Sequence, residues 1–409
     1  MMLYKINRMV ALLLIIVSNA IINYHIIIDL EWRNEMLRFL DSGESHGKAL
    51  VAILEGIPAN FKLDMDFINH ELSRRQQGYG RGERMKIEKD SVEIWCGLRG
   101  NTTTGNPITM VIFNKDYDNW KEIIGKEPKD ENKIVVPRPG HGDLVGFYKY
   151  NTGDIRNSIE RTSARETSIR TAVGAICKDM LRALNIEVRS KVHTLGTYCD
   201  DNVDLFDNDI YQVINNSDLR VYNKTIEKDM KKQIDLCKTE GDTVGGSIKI
   251  EVNNIPIGLG SYAHYDRKLD AILSFAIMSV QGIKAVEFGD ILNKDKVFGS
   301  TFNDGIYFED NKIKRTSNNA GGIEAGISNG ENIVITAFMK PIPTVKKPLK
   351  SINLREKTNV ITRYERSDVC GVIPASVVLE NVIAFEILKE ILNTYPSDDF
   401  NNLKKHFNK

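Results

Sequence analysis

The stretch from Ser163 to about Leu184 constrains the fold most. Ile169, Val173, Ile176, Met180, Leu181 and Leu184 recur at helical spacing and fall near one face. An amphipathic helix with so broad an apolar stripe must bury it against another layer. The start of the helix carries a second message. Ser163 followed three residues later by Glu166 fits a capping box. The Ser hydroxyl would accept from the Glu166 N–H, and the carboxylate would reach back to the Ser163 N–H. Arg156, Arg161 and Arg165 surround that start. Free N–H groups, the positive end of a helix dipole and several guanidinium groups together suit an anion. An ordinary capped helix with solvated arginines explains the segment equally well by itself.

The remainder reads as one compact α+β domain without internal repeats. Residues 36–40 read as a strand entering the loop Gly43-Glu44-Ser45-His46-Gly47, and 48–55 as a helix. A helix over 67–75 runs into a glycine-rich basic loop, 76–82, that precludes regular structure. Strand patterns occupy 92–98, 108–113, 186–196, 244–252, 256–260 and 333–339, and helical ones 224–238, 269–280 and 375–392. Pro341 and Pro343 fix φ and stiffen 340–344 into an extended turn.

Charge narrows the function. Fifty-five Lys and Arg balance fifty-five Asp and Glu, so no global field draws the chain to nucleic acid or to an anionic membrane. Any anion site must come from local arginine clusters: Arg74, Arg75, Arg81 and Arg84, then Arg138, then Arg156, Arg161 and Arg165, then Arg363 and Arg366. The five cysteines are odd in number and widely spaced, which fits neither a disulfide framework nor a CxxC metal knuckle. No HExxH, Walker lysine or GxGxxG motif is present. His46 and His141 stand beside glycines in similar loops and are candidate general acids. Asp368 follows Arg366-Ser367 and reads either as a salt-bridge partner or as a base.

Taken in order, seven blocks resemble the chorismate synthase family. They are Gly-Glu-Ser-His-Gly (43–47), Arg-Arg-Gln-Gln-Gly-Tyr-Gly-Arg-Gly-Glu-Arg-Met (74–85), Arg-Pro-Gly-His-Gly-Asp (138–143), Arg-Thr-Ser-Ala-Arg-Glu-Thr (161–167), Ser-Asn-Asn-Ala-Gly-Gly-Ile-Glu (317–324), Lys-Pro-Ile-Pro-Thr (340–344) and Arg-Ser-Asp-Val-Cys (366–370). The resemblance implies a β-α-β sandwich, with helices packed between antiparallel sheets, assembled as a homotetramer. It implies an anti-1,4-elimination of phosphate from 5-enolpyruvylshikimate 3-phosphate, the last step of the shikimate pathway. Reduced FMN is needed although there is no net redox change, and an external flavin reductase or another source must supply it.

Residue by residue, the resemblance makes His141 the proton donor to the leaving phosphate. His46 would stabilise the reduced flavin, and Asp368 would assist proton removal from substrate C6. Arg75, Arg81, Arg84 and Arg138 would bind substrate or NADP. Arg161, Thr162, Ser163, Gln281, Gly282, Ala325, Lys340, Pro341, Ile342, Pro343, Thr344 and Arg366 would hold FMN. Four positions depart from the usual family pattern: Thr162 replaces serine, Gly142 replaces alanine, Ala325 replaces glycine, and Ile291 stands where a glycine is common. A non-catalytic flavin- or anion-binding protein that kept the fold is the alternative.

The apolar run 9–28, preceded by Lys5 and Arg8, has the hydropathy of a signal peptide or single membrane anchor. The family resemblance begins at the strand before Gly43. The expectation is therefore a cytoplasmic domain over 36–409, with 1–35 an apolar extension outside it.

Overall fold

The computed structural model describes residues 37–82, 89–292, 295, 298–362 and 367–407. The apolar run 9–28, Arg84, Arg363 and Arg366 lie outside these residues. No helix among the described residues is long and apolar enough to cross a membrane.

The first sheet has four antiparallel strands: β1 (Arg38–Ser42), β2 (Ala49–Glu55), β3 (Glu93–Cys96) and β4 (Ile108–Phe113), in the order β1-β2-β4-β3. The expected helix over 48–55 is β2. A continuous apolar run fits a helix or a buried strand equally well, and pairing decides between them. In this register Leu50, Ala52 and Leu54 are fully buried. A one-residue slip would turn them outward, at roughly 1.5–3 kcal/mol for each leucine.

Between Met65 and Gln76 runs α1, capped by the Asp64 carboxylate on the Phe67 N–H. Three short helices follow β4: α2 (Tyr117–Ile124), α3 (Asp143–Tyr150) and α4 (Arg156–Thr162). The long α5 (Thr167–Ala183) comes next, with Ile169, Val173, Ile176, Met180, Leu181 and Leu184 all buried. The capping box at its start does not form. The Ser163 hydroxyl accepts from the Arg165 N–H at 3.3 Å and caps a 3₁₀ turn, Ala164–Glu166, which leads into α5. Glu166 turns away, because its carboxylate accepts from the Gln281 amide at 2.8 Å.

The second sheet has five antiparallel strands. They are β5 (Val188–Leu195), β6 (Tyr198–Cys199), β7 (Gly246–Val252), β8 (Ile283–Phe288) and β9 (Ile333–Met339), in the order β8-β9-β7-β5-β6. The expected strand over 256–260 contributes only an isolated bridge, Gly260 to Ile327. Helices α6 (Asn208–Asn215) and α7 (Lys224–Glu240) form the polar excursion between β6 and β7. Leading into β8 is α8 (Leu269–Met278), and α9 (Val372–Thr394) is apolar nearly all round and almost wholly buried.

Helix α5 packs on the first sheet, α9 on the second, and the two pack on each other. The result is the α+β, sheet–helix–sheet sandwich. Their crossing is close because Gly174 lacks a side chain; a Cβ there would lie 2.1 Å from the Asn381 carbonyl oxygen.

Candidate active site

A cavity of about 1080 Å³ opens where the loops after β1, α1, β4 and β9 meet the C-terminal end of α8 and the N-terminal end of α9. It is lined by His46, Arg75, Arg81, Arg138, His141, Thr162, Ser163, Gln281, Gly282, residues 340–344 and Asp368. Residues separated by most of the chain thus share one space. Arg161 and Ala325 are not among the lining residues. The Arg161 guanidinium pairs with Asp41 at 3.1 Å and donates to the Gly43 carbonyl at 3.3 Å. Ala325 sits at the turn of a hairpin, with φ +51° followed by Gly326 at +83°. Two consecutive positive φ angles are what a tight hairpin turn needs.

Each histidine is backed by a buried carboxylate. His141 Nδ1 lies 2.5 Å from Asp143, and Arg138 donates to that carboxylate from Nε and Nη2 at 2.8 and 3.0 Å. Burial pushes the Asp143 carboxyl up, but bonds from His141 and Arg138 win and hold it well below the usual carboxylate range. His46 Nδ1 lies 3.0 and 3.2 Å from the two Glu160 oxygens, and its backbone N–H donates to Glu160 at 2.8 Å. The Glu160 carboxyl is also held low: His46 and Arg156 together outweigh its burial. Sequence reading passed over both carboxylates. Asp143 stands two residues after His141, but Glu160 is remote from His46 in sequence, and only the fold joins them.

The arginines divide by partner. Arg165 forms a two-oxygen pair with the buried Asp90 at 2.7 and 2.6 Å. Arg75 donates to Thr167 and to the Ala164 carbonyl, and its Nη1 lies 3.5 Å from the same Asp90. That Nη1 is buried with no hydrogen-bond acceptor among the described residues. Burial is the main cause that pushes Arg75 down to about 10; Asp90 opposes the shift, while Arg165 and Arg81 add to it. Asp368 is a salt-bridge partner, but to Arg81 at 3.0 Å, and it also accepts from the Gly82 N–H at 2.6 Å. Arg156, Lys284 and Trp120 also line the cavity. Lys284 and Trp120 lie in stretches that carry no motif. Burial and the Lys284 charge lower the pKa of Lys340. Cationic side chains therefore outnumber carboxylates around the cavity, in a chain whose formal net charge is zero.

The space suits an anionic ligand. It exceeds the usual volume of a single small-molecule pocket. Gln281 Oε1 is buried and accepts no hydrogen bond among the described residues, an acceptor offered to a ligand N–H. Thr162, Ser163 and the stiff 340–344 turn line the same space.

Gly142 and Thr162, two of the four positions where the sequence resemblance is inexact, adjoin each other. A Cβ on Gly142 would lie 2.8 Å from the Thr162 γ-methyl. The methyl that Thr162 adds occupies the room that an alanine at 142 would take. Gly142→Ala alone is expected to overpack this contact and cost about 1–3 kcal/mol, whereas Gly142→Ala with Thr162→Ser restores stability. A double-mutant cycle in urea checks it; additive effects would refute the pairing.

An α+β sandwich enclosing a cation-rich cavity with two carboxylate-backed histidines defines an anion-binding protein equipped for proton transfer. Comparison with known proteins makes the class specific. The chorismate synthase family model matches residues 37–392. The chorismate synthase of Clostridium tetani is 60% identical over 374 residues, covering 91% of this chain and 97% of that protein. That of Alkaliphilus oremlandii is 49% identical, with the same coverage. A crystal structure of chorismate synthase superposes with a TM-score of 0.73 at 36% identity, over 91% of this chain and 96% of that one. The chain belongs to the chorismate synthase family.

Proposed function

We infer that the protein is a carbon–oxygen lyase that converts 5-enolpyruvylshikimate 3-phosphate to chorismate. Phosphate leaves from C3 and a proton from C6. The observation that carries this reading is one cavity holding His46 and His141, each backed by a buried carboxylate, among Arg75, Arg81, Arg138, Arg156, Arg165, Lys284 and Lys340. A substrate with a phosphate and two carboxylates needs such a surplus of cations.

His141 donates its proton to the leaving phosphate oxygen, with Asp143 fixing the ring. Asp368 assists removal of the C6 proton, and the Arg81 pair and Gly82 N–H hold its carboxylate in place. Arg75, Arg81 and Arg138, with Arg84, bind the substrate anions. Thr162, Ser163, Gln281, Gly282 and the turn Lys340, Pro341, Ile342, Pro343, Thr344 hold FMN, and Arg366 joins them. When bound, reduced FMN supplies electron density to the breaking C–O bond with no net redox change. His46 stabilises the charge of the reduced ring. The family domain spans 36–409, works as a homotetramer, and draws reduced flavin from a separate source.

Without air, the protein is expected to release phosphate from 5-enolpyruvylshikimate 3-phosphate only when reduced FMN is present. Equal release with no flavin would sink the reading. Flavin binding without turnover would leave the non-catalytic alternative.

A further inference from the structure

We propose that Trp120 is a positioning residue for His46, and that Trp120, Arg156 and Glu160 form with that ring a closed circuit of contacts, a partial cage; the proposal rests on the reading of His46 as an active-site group. The contacts run in a circle. Glu160 takes the Nδ1 edge of the imidazole and the His46 backbone N–H. The indole of Trp120 covers a face of the imidazole, with centroids 4.0 Å apart and planes tilted by 33°. The Arg156 guanidinium lies 5.2 Å from the indole centroid. Arg156 then closes the circle on Glu160 at 3.5 Å. From outside the circle, the buried Asp116 accepts the indole N–H at 3.3 Å.

Each member removes a different freedom. Glu160 fixes the edge that the ring turns inward. Trp120 fixes the tilt of the ring plane, which a hydrogen bond to one edge leaves open. Arg156 holds the indole by a cation–π contact and the carboxylate by charge. The need is local. His46 lies between Ser45 and Gly47 in a loop, where the backbone alone does not set a ring orientation. Reacting and stabilising groups must be held to about 0.5 Å and 10–20° to be effective. Trp120 carries no exchangeable charge, so its contribution is geometric.

The test uses the full chain and the variants Trp120→Leu, Trp120→Phe and His46→Ala. In the flavin-free protein, stacking on an indole shifts the His46 ring-proton resonances upfield. Trp120→Leu should move them downfield and Trp120→Phe should largely restore them. In the anaerobic assay Trp120→Leu should lower kcat about 10- to 100-fold through misplacement, with substrate KM changed by less than about twofold. Trp120→Phe should recover most of the loss. Unchanged His46 resonances in Trp120→Leu would overturn the cage. Shifted resonances with wild-type kcat would overturn its role, provided His46→Ala is itself impaired. A fully active His46→Ala would instead remove the reading of His46 on which the proposal stands.

Discussion

His141→Ala is expected to lower kcat for phosphate release by about a hundredfold or more, with little change in substrate KM. The size follows from how the ring is held. Asp143 stays ionised through neutral pH, because His141 and Arg138 together hold its carboxyl low against burial. A carboxylate only accepts, so Nδ1 is the nitrogen that carries the hydrogen toward it. Nε2 then gives a proton to the leaving group when the ring is an imidazolium, whose charge the Asp143 carboxylate stabilises, and the ring is left as the Nδ1–H imidazole. Asp143→Asn tests that logic separately. Its amide carries no charge to stabilise the imidazolium, so kcat should fall while the fold is kept. Arg138 is anchored on both sides, by Asp143 and by the Thr344 hydroxyl at 2.9 Å, so the loop itself should hold its place in the alanine variant. A His141→Ala protein with wild-type kcat would show that the phosphate leaves without this proton.

Sequence reading located the loops that build the site because their chemistry is local. Gly-Glu-Ser-His-Gly and Pro-Gly-His-Gly-Asp each carry a histidine where glycine frees the backbone. It misread β2 because a run of apolar residues has no period, and the pairing of β2 with β1 and β4 is non-local. The capping box at Ser163 failed for a related reason. The local rule pairs Glu166 with Ser163, but Gln281 offers an amide from a loop more than a hundred residues away. Glu160, Asp90 and Trp120 escaped notice because each acts through a partner that only the fold supplies. The two departures at Gly142 and Thr162 looked independent in sequence and are one contact in space.

The largest stability effect is expected at Glu380, far from any motif. Its side chain is fully buried on α9 and ties that helix to α1, α5, α6 and β5. It accepts from Arg74 on α1 at 2.8 and 3.1 Å, from Arg220 at 2.7 Å, and from Ser190 on β5 at 2.7 Å. Lys178 on α5 and the Tyr211 hydroxyl on α6, at 3.1 Å, also bond to it. Glu71 shares Arg74 and Lys178 and accepts from Asn381 at 2.9 Å. Three buried cations thus depend on two carboxylates. Glu380→Leu would leave Arg74 and Lys178 with Glu71 and take from Arg220 its carboxylate, which costs about 3–5 kcal/mol, a large part of the roughly 5–15 kcal/mol typical of a domain. Substrate affinity should weaken too, because Arg74 adjoins Arg75 on α1. Burial pushes both carboxyls up, but Arg74 and Lys178 outweigh it and hold both low, Glu71 at about 2. Groups depressed in the folded state stabilise it fully above the ordinary carboxylate range. That contribution is lost as pH falls from about 4.5 toward 2. Urea midpoints at neutral pH and near pH 3 therefore separate the causes: the wild type should lose stability on acidification through these groups, and Glu380→Leu should start lower and lose less. If the variant matches the wild type at neutral pH, the buried cations have other partners and the network does not hold α1 in place.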